Sequence, residues 1–258
     1  IDNSPYTITI TLTTASGYVL TLTYDLTVTG TCTSGNVLAI WTGDQRSSTD
    51  STKYLGNITA YTDNASDICG RSNNADCTAK NNYDYSTSDA SVNLHIGPSP
   101  SATKGNMFFY NQYDNTTHIY LFWMFGVGGS SKSNKVRLDI FSINNESSDN
   151  VVESDDAGET SRVSQTSSSL YSSTYKGRYS YNNCCSDGGV IGPFSGSSYR
   201  IFVDIGGTST IDSNELTLKG KSPGLDSFTY WSKDGSSFSL GDVDNFTVGY
   251  KTSTDCSN

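Results

Sequence analysis

Residues 119–143 constrain the fold more than any other part of the chain. The first seven of them, Ile-Tyr-Leu-Phe-Trp-Met-Phe, form the most apolar run in the sequence and show no alternation with polar residues. Such a run is too short to span a bilayer, and its aromatic residues and the glycines that follow do not favour a helix. We therefore predict a central β-strand that is covered on both faces.

The residues after this run predict a second strand. Gly, Ser, Lys and Asn dominate residues 128–135, and this composition is typical of a turn. Apolar and other residues then alternate, with Val136, Leu138 and Ile140 set against Arg137, Asp139 and Phe141. Because this is the period of a strand with one buried and one solvated face, we expect the two strands to form a hairpin on which the core is built.

A regular alternation of threonine with apolar residues marks residues 6–29, interrupted by an Ala-Ser-Gly turn. This pattern predicts two long strands, each with one buried and one polar face, that can pair as a hairpin. The first strand, within residues 1–14, is available for donation to a neighbouring molecule, and pairing within its own domain is the alternative. The apolar row that would set the register is Tyr6, Ile8, Ile10 and Leu12.

Short strand candidates continue to the C-terminus, separated by turn-forming residues. They lie at residues 36–42, 53–61, 92–96, 107–113, 175–181, 199–205, 215–219, 228–231, 237–240 and 243–250. We predict a long loop at residues 62–89 and almost no helix anywhere. Residues 144–173 are predicted as a long loop or weak strands, with a linker between domains as the alternative. The sequence thus predicts one all-β domain over residues 1–258, a β-sandwich or jelly roll of about a dozen antiparallel strands with long polar loops and disulfides.

Six cysteines indicate disulfides in an oxidising compartment. They are Cys32, Cys69, Cys77, Cys184, Cys185 and Cys256. Cys69 and Cys77 would close a short polar loop, whereas the adjacent Cys184 and Cys185 are expected to bridge different partners, such as Cys32 and Cys256. The alternatives are a zinc site, which the cysteine spacing and the two histidines disfavour, and two cysteines left free.

The charge balance restricts the classes of partner. The net charge of -10 disfavours nucleic acid and anionic membrane surfaces, because their phosphates require lysine and arginine. Divalent cations and neutral glycans are compatible with it. The sequence has no apolar segment long enough to span a membrane, and its cysteines and composition predict a secreted chain that acts outside the cell or at the cell surface.

The densest group of acidic residues predicts a calcium site. It consists of Glu153, Asp155, Asp156 and Glu159 around a glycine. Carboxylates at this spacing can supply several of the roughly six to eight oxygen atoms that calcium takes. The order does not match an EF-hand loop, and a solvated acidic loop is the alternative.

No arrangement of residues in the sequence predicts catalysis. Most carboxylates lie beside Gly, Ser or Asn, where aspartate serves as a turn former, and they give no signal for glycoside hydrolysis. The two histidines, His95 and His118, adjoin strand-like segments, so a structural role is expected for both. We therefore expect a protein that is not an enzyme and has no catalytic residue.

Aromatic and amide side chains predict contacts with sugars. Trp41 and Trp231 lie near the ends of predicted strands and can stack on sugar rings, although filling the ends of the sandwich is the alternative.

The glycosylation candidates are Asn57, Asn64, Asn115, Asn145 and Asn245. A chain so rich in Asn, Ser and Thr contains about six such sites by chance, so the sites alone prove no glycosylation.

The last hundred or so residues resemble a class of exported prokaryotic surface protein. The segments that carry the resemblance are Ser154-Asp-Asp-Ala-Gly-Glu, Tyr175-Lys-Gly-Arg-Tyr-Ser-Tyr, Asp187-Gly-Gly-Val-Ile-Gly-Pro-Phe-Ser-Gly, Trp231-Ser-Lys-Asp-Gly-Ser and Val243-Asp-Asn-Phe-Thr-Val. The last two are similar to the closing strands of jelly-roll modules in PEP-CTERM-type proteins. The resemblance implies a role at the cell surface or in an extracellular matrix and carries over no catalytic residue.

Together these features predict an extracellular structural protein that polymerises with copies of itself into a filament, sheath or surface matrix. Donation of the N-terminal strand would join the subunits. The alternative is a secreted, lectin-like jelly-roll module that binds carbohydrate with the help of calcium. A secreted hydrolase and a viral coat protein fit less well, because the sequence offers no catalytic group and no basic arm.

Overall fold

The computed structural model describes most of the chain. The described residues are 6–13, 15–17, 19–26, 37–46, 50–62, 78–86, 91–92, 94–112, 118–126, 133–146, 148–156, 158–163, 173–182, 186–205, 227–240 and 245–251. The predicted strand at 215–219 lies outside them.

Strands make up nearly all of the regular secondary structure in the described residues, which confirms the all-β prediction. The first strands are β1 (Tyr6–Thr13), β2 (Val19–Leu26), β3 (Val37–Thr42), β4 (Tyr54–Ile58), β5 (Tyr61–Thr62), β6 (Tyr85–Ser86), β7 (Ser91–Val92), β8 (Ser101–Asn111) and β9 (Ile119–Gly126). The later strands are β10 (Ser133–Ile143), β11 (Asn150–Ser154), β12 (Thr160–Arg162), β13 (Ser173–Asn182), β14 (Ser186–Phe194), β15 (Arg200–Ile205), β16 (Ser227–Trp231), β17 (Ser237–Ser239) and β18 (Asn245–Lys251). The helical elements are a 3₁₀ turn (Ser51–Lys53) and α1 (Ala79–Tyr83).

Two large sheets form a β-sandwich. The strand order is β12-β13-β10-β15-β18-β3-β4 in the first sheet and β11-β14-β9-β8-β16-β17 in the second. The pairs are antiparallel, except that β8 pairs in parallel with β16 and with β5. Two further sheets have two strands each, β1 with β2 and β6 with β7.

The main hydrophobic core lies between the two large sheets. Alternate residues of both sheets meet in one buried cluster, for example Leu138 and Val203 from the first sheet and Phe109 and Leu121 from the second. The central strands of both sheets direct alternate side chains to this core, which is the arrangement expected for packed sheets.

Strand β9 is buried along its whole length. Its odd-numbered residues join the core between the sheets, namely Ile119, Leu121, Trp123 and Phe125. Its even-numbered residues Tyr120, Phe122 and Met124 join a second cluster with Tyr83 of α1. Both faces are therefore covered, as the absence of alternation predicted.

The predicted hairpin between β9 and β10 is wrong. Strand β9 pairs with β8 and β14, whereas β10 pairs with β13 and β15 in the other sheet. The chain thus passes from one sheet to the other between Gly126 and Ser133. Gly, Ser and Asn serve tight hairpins and longer connections alike, so the local composition did not distinguish the two.

The second face of β10 is buried, and the prediction of a solvated face is also wrong. Asp139 is 0% exposed, and its carboxylate accepts hydrogen bonds from Arg137 and Arg178 at 3.2 and 3.0 Å. Phe141 stacks on Phe202 with ring centroids 5.8 Å apart. Charged residues at alternate positions are thus compatible with burial when they are paired.

Residues 78–84, predicted as loop, contain the short helix α1. The Thr78 hydroxyl caps its start by accepting a hydrogen bond from the Asn81 N–H at 3.1 Å, and Asp84 ends it with a φ of 44°. The helix packs on β11 and β14. No helix in the described ranges is long and apolar enough to cross a lipid bilayer.

Strand β14 was not predicted, because its glycines and proline argue against a central strand. It is nevertheless buried almost throughout and pairs with both β9 and β11. Gly188 permits this close approach, since a Cβ atom there would lie 2.2 Å from the backbone oxygen of Trp123. The predicted strand at 92–96 is shorter than expected, ending at Val92.

Candidate functional site

Three of the four predicted acidic residues meet in the turn between β11 and β12. One carboxylate oxygen from each of Asp155, Asp156 and Glu159 lies within 4.8 Å of the others. The turn is held by hydrogen bonds within it, including one from the Glu159 N–H to the Asp156 carbonyl oxygen at 3.3 Å. Asp155 is buried and Asp156 is exposed, so the cluster extends from the interior to the surface.

Glu153, the fourth predicted residue, takes part in a different interaction. Its Oε2 atom lies 2.7 Å from the Nζ atom of Lys80 on α1. Successive side chains of a strand point to opposite faces, and a bulge follows Val151, so sequence spacing alone did not fix where Glu153 points. The structure thus brings together three of the four predicted acidic residues in the turn and places the carboxylate of Glu153 beside Lys80.

Asp187 joins the acidic cluster from β14. Its side chain is hydrogen-bonded to that of Asp155, and each of the two residues is 5% exposed. The Asp155 N–H donates to the Gly188 carbonyl oxygen at 3.3 Å, which fixes the turn against β14. Sequence reasoning missed Asp187 because it missed β14, although the Asp-Gly-Gly motif could have indicated a close approach of two backbones.

Asp155 lies in a setting that disfavours its charged form. Burial, followed by the negative charges of Asp187, Glu159 and Asp156, raises the pKa of Asp155 to about 8. A carboxyl group with this pKa holds a proton at neutral pH unless a cation neutralises the charges around it. The cluster therefore favours the binding of positive charge.

The hydroxyl group of Tyr83 belongs to the same site. Tyr83 is 1% exposed, and its hydroxyl oxygen has no hydrogen-bond partner in the described part of the chain. Burial and then the charges of Asp155, Asp187 and Glu159 raise the pKa of Tyr83, so the hydroxyl is neutral at physiological pH. A buried hydroxyl without a hydrogen-bond partner lowers the stability of the fold by about 1–3 kcal/mol. A ligand that contacts this oxygen would offset that cost.

A buried hydrogen-bond network supports the cluster from the core side. The Trp123 indole N–H donates to the Tyr179 hydroxyl oxygen at 2.7 Å, and the same oxygen lies 2.7 Å from Oγ1 of Thr160. Thr160 directly follows Glu159 in the chain. The acidic turn is thus anchored to the central strand of the sandwich.

The second candidate site is the hairpin of β1 and β2. Its antiparallel register places Tyr6, Ile8, Ile10 and Leu12 opposite Leu26, Tyr24, Leu22 and Leu20. Directly opposed residues share a face of the sheet, so one face carries four apolar pairs. The pairing confirms the expected hairpin, and among the described strands β1 and β2 pair only with each other.

The two tryptophans predicted to stack on sugars differ in exposure. Trp41 is 1% exposed, and it packs against the Tyr54 ring and the Arg200 guanidinium. These side chains cover it, so it presents no surface to a sugar, and we do not retain it as a stacking residue. Trp231 is partly exposed, and its indole N–H donates to Oδ1 of Asn106 at 2.8 Å.

The glycosylation candidates also differ. Asn57 is exposed on β4, whereas Oδ1 of Asn145 accepts a hydrogen bond from the Ser195 N–H at 2.9 Å. Asn245 is half-buried at the start of β18. All six cysteines and the remaining candidates Asn64 and Asn115 lie outside the described residues, so the disulfides stay predictions.

The fold and its sites define the chain as an all-β sandwich with an acidic turn and a separate hairpin. We compared it with models of protein families, with curated proteins and with solved structures, and none of these matches the chain. What it does has to be inferred from its own residues.

Proposed function

We propose that the protein is the subunit of an extracellular filament, sheath or surface matrix, in which the β1–β2 hairpin joins one subunit to the next. The observation that carries the proposal is the separate two-stranded sheet with four apolar pairs on one face. A hairpin of two strands is marginally stable in water by itself. A second surface that covers its apolar face would therefore stabilise it.

The apolar face is large enough to drive association. Covering a Val, Leu, Ile or Phe side chain contributes about 1.5–3 kcal/mol. Eight residues of similar character would therefore supply on the order of 10 kcal/mol, even if each were only partly covered. Ordering and loss of translational freedom offset part of this gain.

The edges of the hairpin add a second means of association. Each outer edge offers a row of backbone N–H and C=O groups that can extend a neighbouring sheet. Strand β1 is already paired with β2 along its length, so the donated element in this proposal is the whole hairpin. A contact between the hairpin and a different surface of the next copy is head-to-tail, and it generates an open chain of subunits when the rotation between copies does not close into a ring.

An extracellular setting agrees with the remaining features. The six cysteines and the net charge of -10 suit a protein that remains soluble in an oxidising environment. Asn57 offers an exposed acceptor for glycosylation on β4. Calcium at the concentrations found outside cells would suit the acidic turn, since extracellular modules bind it with Kd values of about 0.1–1 mM.

Charge introduced on the apolar face of the hairpin should abolish assembly. In the double variant Ile8→Asp/Ile10→Asp, two carboxylates would have to be buried at the contact, which costs several kcal/mol per charge. Native material should form regular fibres or tubes in negative-stain electron microscopy. The variant should give folded subunits that elute near 27.8 kDa in size-exclusion chromatography.

The matched control places the same charges on the opposite face of the same strand. Thr9 and Thr11 pair with Thr23 and Thr21, so the variant Thr9→Asp/Thr11→Asp should still assemble. Fibres that persist in Ile8→Asp/Ile10→Asp would refute assembly through this face, as would equal loss of assembly in both variants. Native protein that is a uniform monomer would refute the assembly function.

Carbohydrate binding is the second candidate, favoured by Trp231, whose ring is partly exposed and whose orientation is fixed by Asn106. Stacking of a sugar on this ring would be lost in the variant Trp231→Ala. A glycan array with and without calcium tests this function. If the array shows no bound glycan, or if Trp231→Ala binds as well as the native chain, this candidate fails.

A further inference from the structure

We propose that Asp155, Asp156, Glu159 and Asp187 bind a calcium ion beside the hydroxyl group of Tyr83. The site is built from the β11–β12 turn, β14 and α1, which are distant in the sequence. It goes beyond the assembly function and does not depend on it.

The grouping of the carboxylates is the first observation. Three of them have oxygen atoms within 4.8 Å of one another, and Asp187 is hydrogen-bonded to Asp155. The nearby lysine, Lys80, is 2.7 Å from the carboxylate of Glu153, which lies outside the group of three. Like charges held this closely repel each other unless a proton or a cation lies among them.

Two buried oxygen atoms at the cluster provide the second and independent observation. Oδ1 of Asp155 and the hydroxyl oxygen of Tyr83 have no hydrogen-bond partner in the described residues, and both residues are more than nine-tenths buried. A proton shared between Asp155 and Asp187 would satisfy the carboxyl pair but would leave the Tyr83 oxygen without a partner. A cation offers favourable interactions to all of these oxygen atoms at once.

The chemistry of the donors selects the class of ion. The ligand atoms are carboxylate and hydroxyl oxygens, which suit hard cations such as calcium and magnesium and not zinc or copper. Calcium accepts a larger and less regular set of oxygen ligands than magnesium, which requires a near-ideal octahedron and retains its water. A crowded group of carboxylates on a turn therefore favours calcium.

Bound calcium would fasten the acidic turn to the second sheet. Asp155, Asp156 and Glu159 come from the turn, Asp187 comes from β14, and Tyr83 ends α1. An ion shared by these elements is bound by the folded chain and not by the unfolded chain. Calcium should therefore raise the unfolding temperature, by roughly 5–10 °C at a concentration about a hundredfold above Kd.

The test uses the full-length chain after treatment with EDTA. Calcium chloride is titrated in by isothermal titration calorimetry, and unfolding is followed by circular dichroism with and without calcium. We expect one calcium ion per chain, a higher unfolding temperature with calcium, and magnesium binding at least tenfold weaker. No binding heat and no shift of the unfolding temperature up to 10-millimolar calcium, about tenfold above the Kd of the weakest extracellular sites, would overturn the proposal. Equal affinity for magnesium would overturn the assignment to calcium.

Substitutions that remove charge at constant size locate the ion. Asp155→Asn and Asp187→Asn should each weaken calcium binding at least tenfold, and in EDTA they should unfold at the native temperature or above it, because repulsion is reduced. Tyr83→Phe, which removes one oxygen, should weaken binding by a smaller factor. The matched control is Asp234→Asn, an exposed aspartate in a turn, which should bind calcium as the native chain does.

A substitution at the exposed residue of the cluster keeps the test valid even if the buried variants fail to fold. Asp156 lies at the surface, so Asp156→Asn should fold whatever happens to the buried variants, and it should bind calcium several-fold more weakly. Native affinity in Asp156→Asn and Asp187→Asn, or an equal loss in Asp234→Asn, would place the ion elsewhere and overturn the proposal. The variants that remove calcium binding do not alter the hairpin. The calcium experiments therefore test this proposal alone, and the assembly experiments test the assembly function alone.

Discussion

Replacement of Asp139 by alanine should lower the free energy of unfolding by about 3–5 kcal/mol. Asp139 is 0% exposed, and its two carboxylate oxygens accept hydrogen bonds from Arg137 and Arg178. The side chain of Arg137 is only 5% exposed, so removal of the carboxylate would take a charged hydrogen-bond partner from a buried guanidinium. Urea denaturation followed by circular dichroism measures the loss as a lower midpoint.

A concerted replacement separates the charge effect from a packing effect. If the stability lost in Asp139→Ala comes from buried arginines that have lost this carboxylate, changing Arg137, Asp139 and Arg178 together to apolar residues of similar volume should recover most of the stability. A loss below about 1 kcal/mol in the single variant would show that these charges are solvated, contrary to their burial. A triple variant less stable than Asp139→Ala would show that packing, and not charge, dominates.

Replacement of Trp123 by alanine should cost about 3–5 kcal/mol. Trp123 is 1% exposed, packs in the core between the sheets, and donates a hydrogen bond to the Tyr179 hydroxyl. The variant would leave a large cavity at the central strand and remove that donor. Differential scanning calorimetry should show a fall in the unfolding temperature of roughly 10 °C.

The control for Trp123→Ala is the same kind of truncation at an exposed apolar residue of a strand. Leu55 on β4 is 40% exposed, and Leu55→Ala should change stability by no more than about 0.5 kcal/mol. Trp123→Phe, which keeps an aromatic ring in the core, should lose an amount of stability between those of Leu55→Ala and Trp123→Ala. Equal losses in Leu55→Ala and Trp123→Ala would contradict the assignment of β9 as the centre of the sandwich.

The acidic turn shows how far spacing along the chain can predict a site. Asp155, Asp156 and Glu159 lie close in sequence around a turn, and their grouping followed from that proximity. Asp187 and Tyr83 approach from β14 and α1, whose existence the local residues did not indicate. Glu153 is adjacent in sequence but lies on a strand with a bulge, and its partner is Lys80.

Local sequence patterns determined several strands of this protein and the β1–β2 hairpin, and the tertiary structure decided the pairing of the central strands. The period-2 pattern of β1 and β2 and the unbroken apolar run of β9 predicted these strands, because side-chain burial alternates along a pleated backbone. The partners of β9 and β10, the burial of Asp139 and the strand character of β14 depend on contacts between distant segments. Such contacts are set by close packing of the whole sandwich, which tolerates glycine and paired charges wherever neighbouring backbones and side chains complement them.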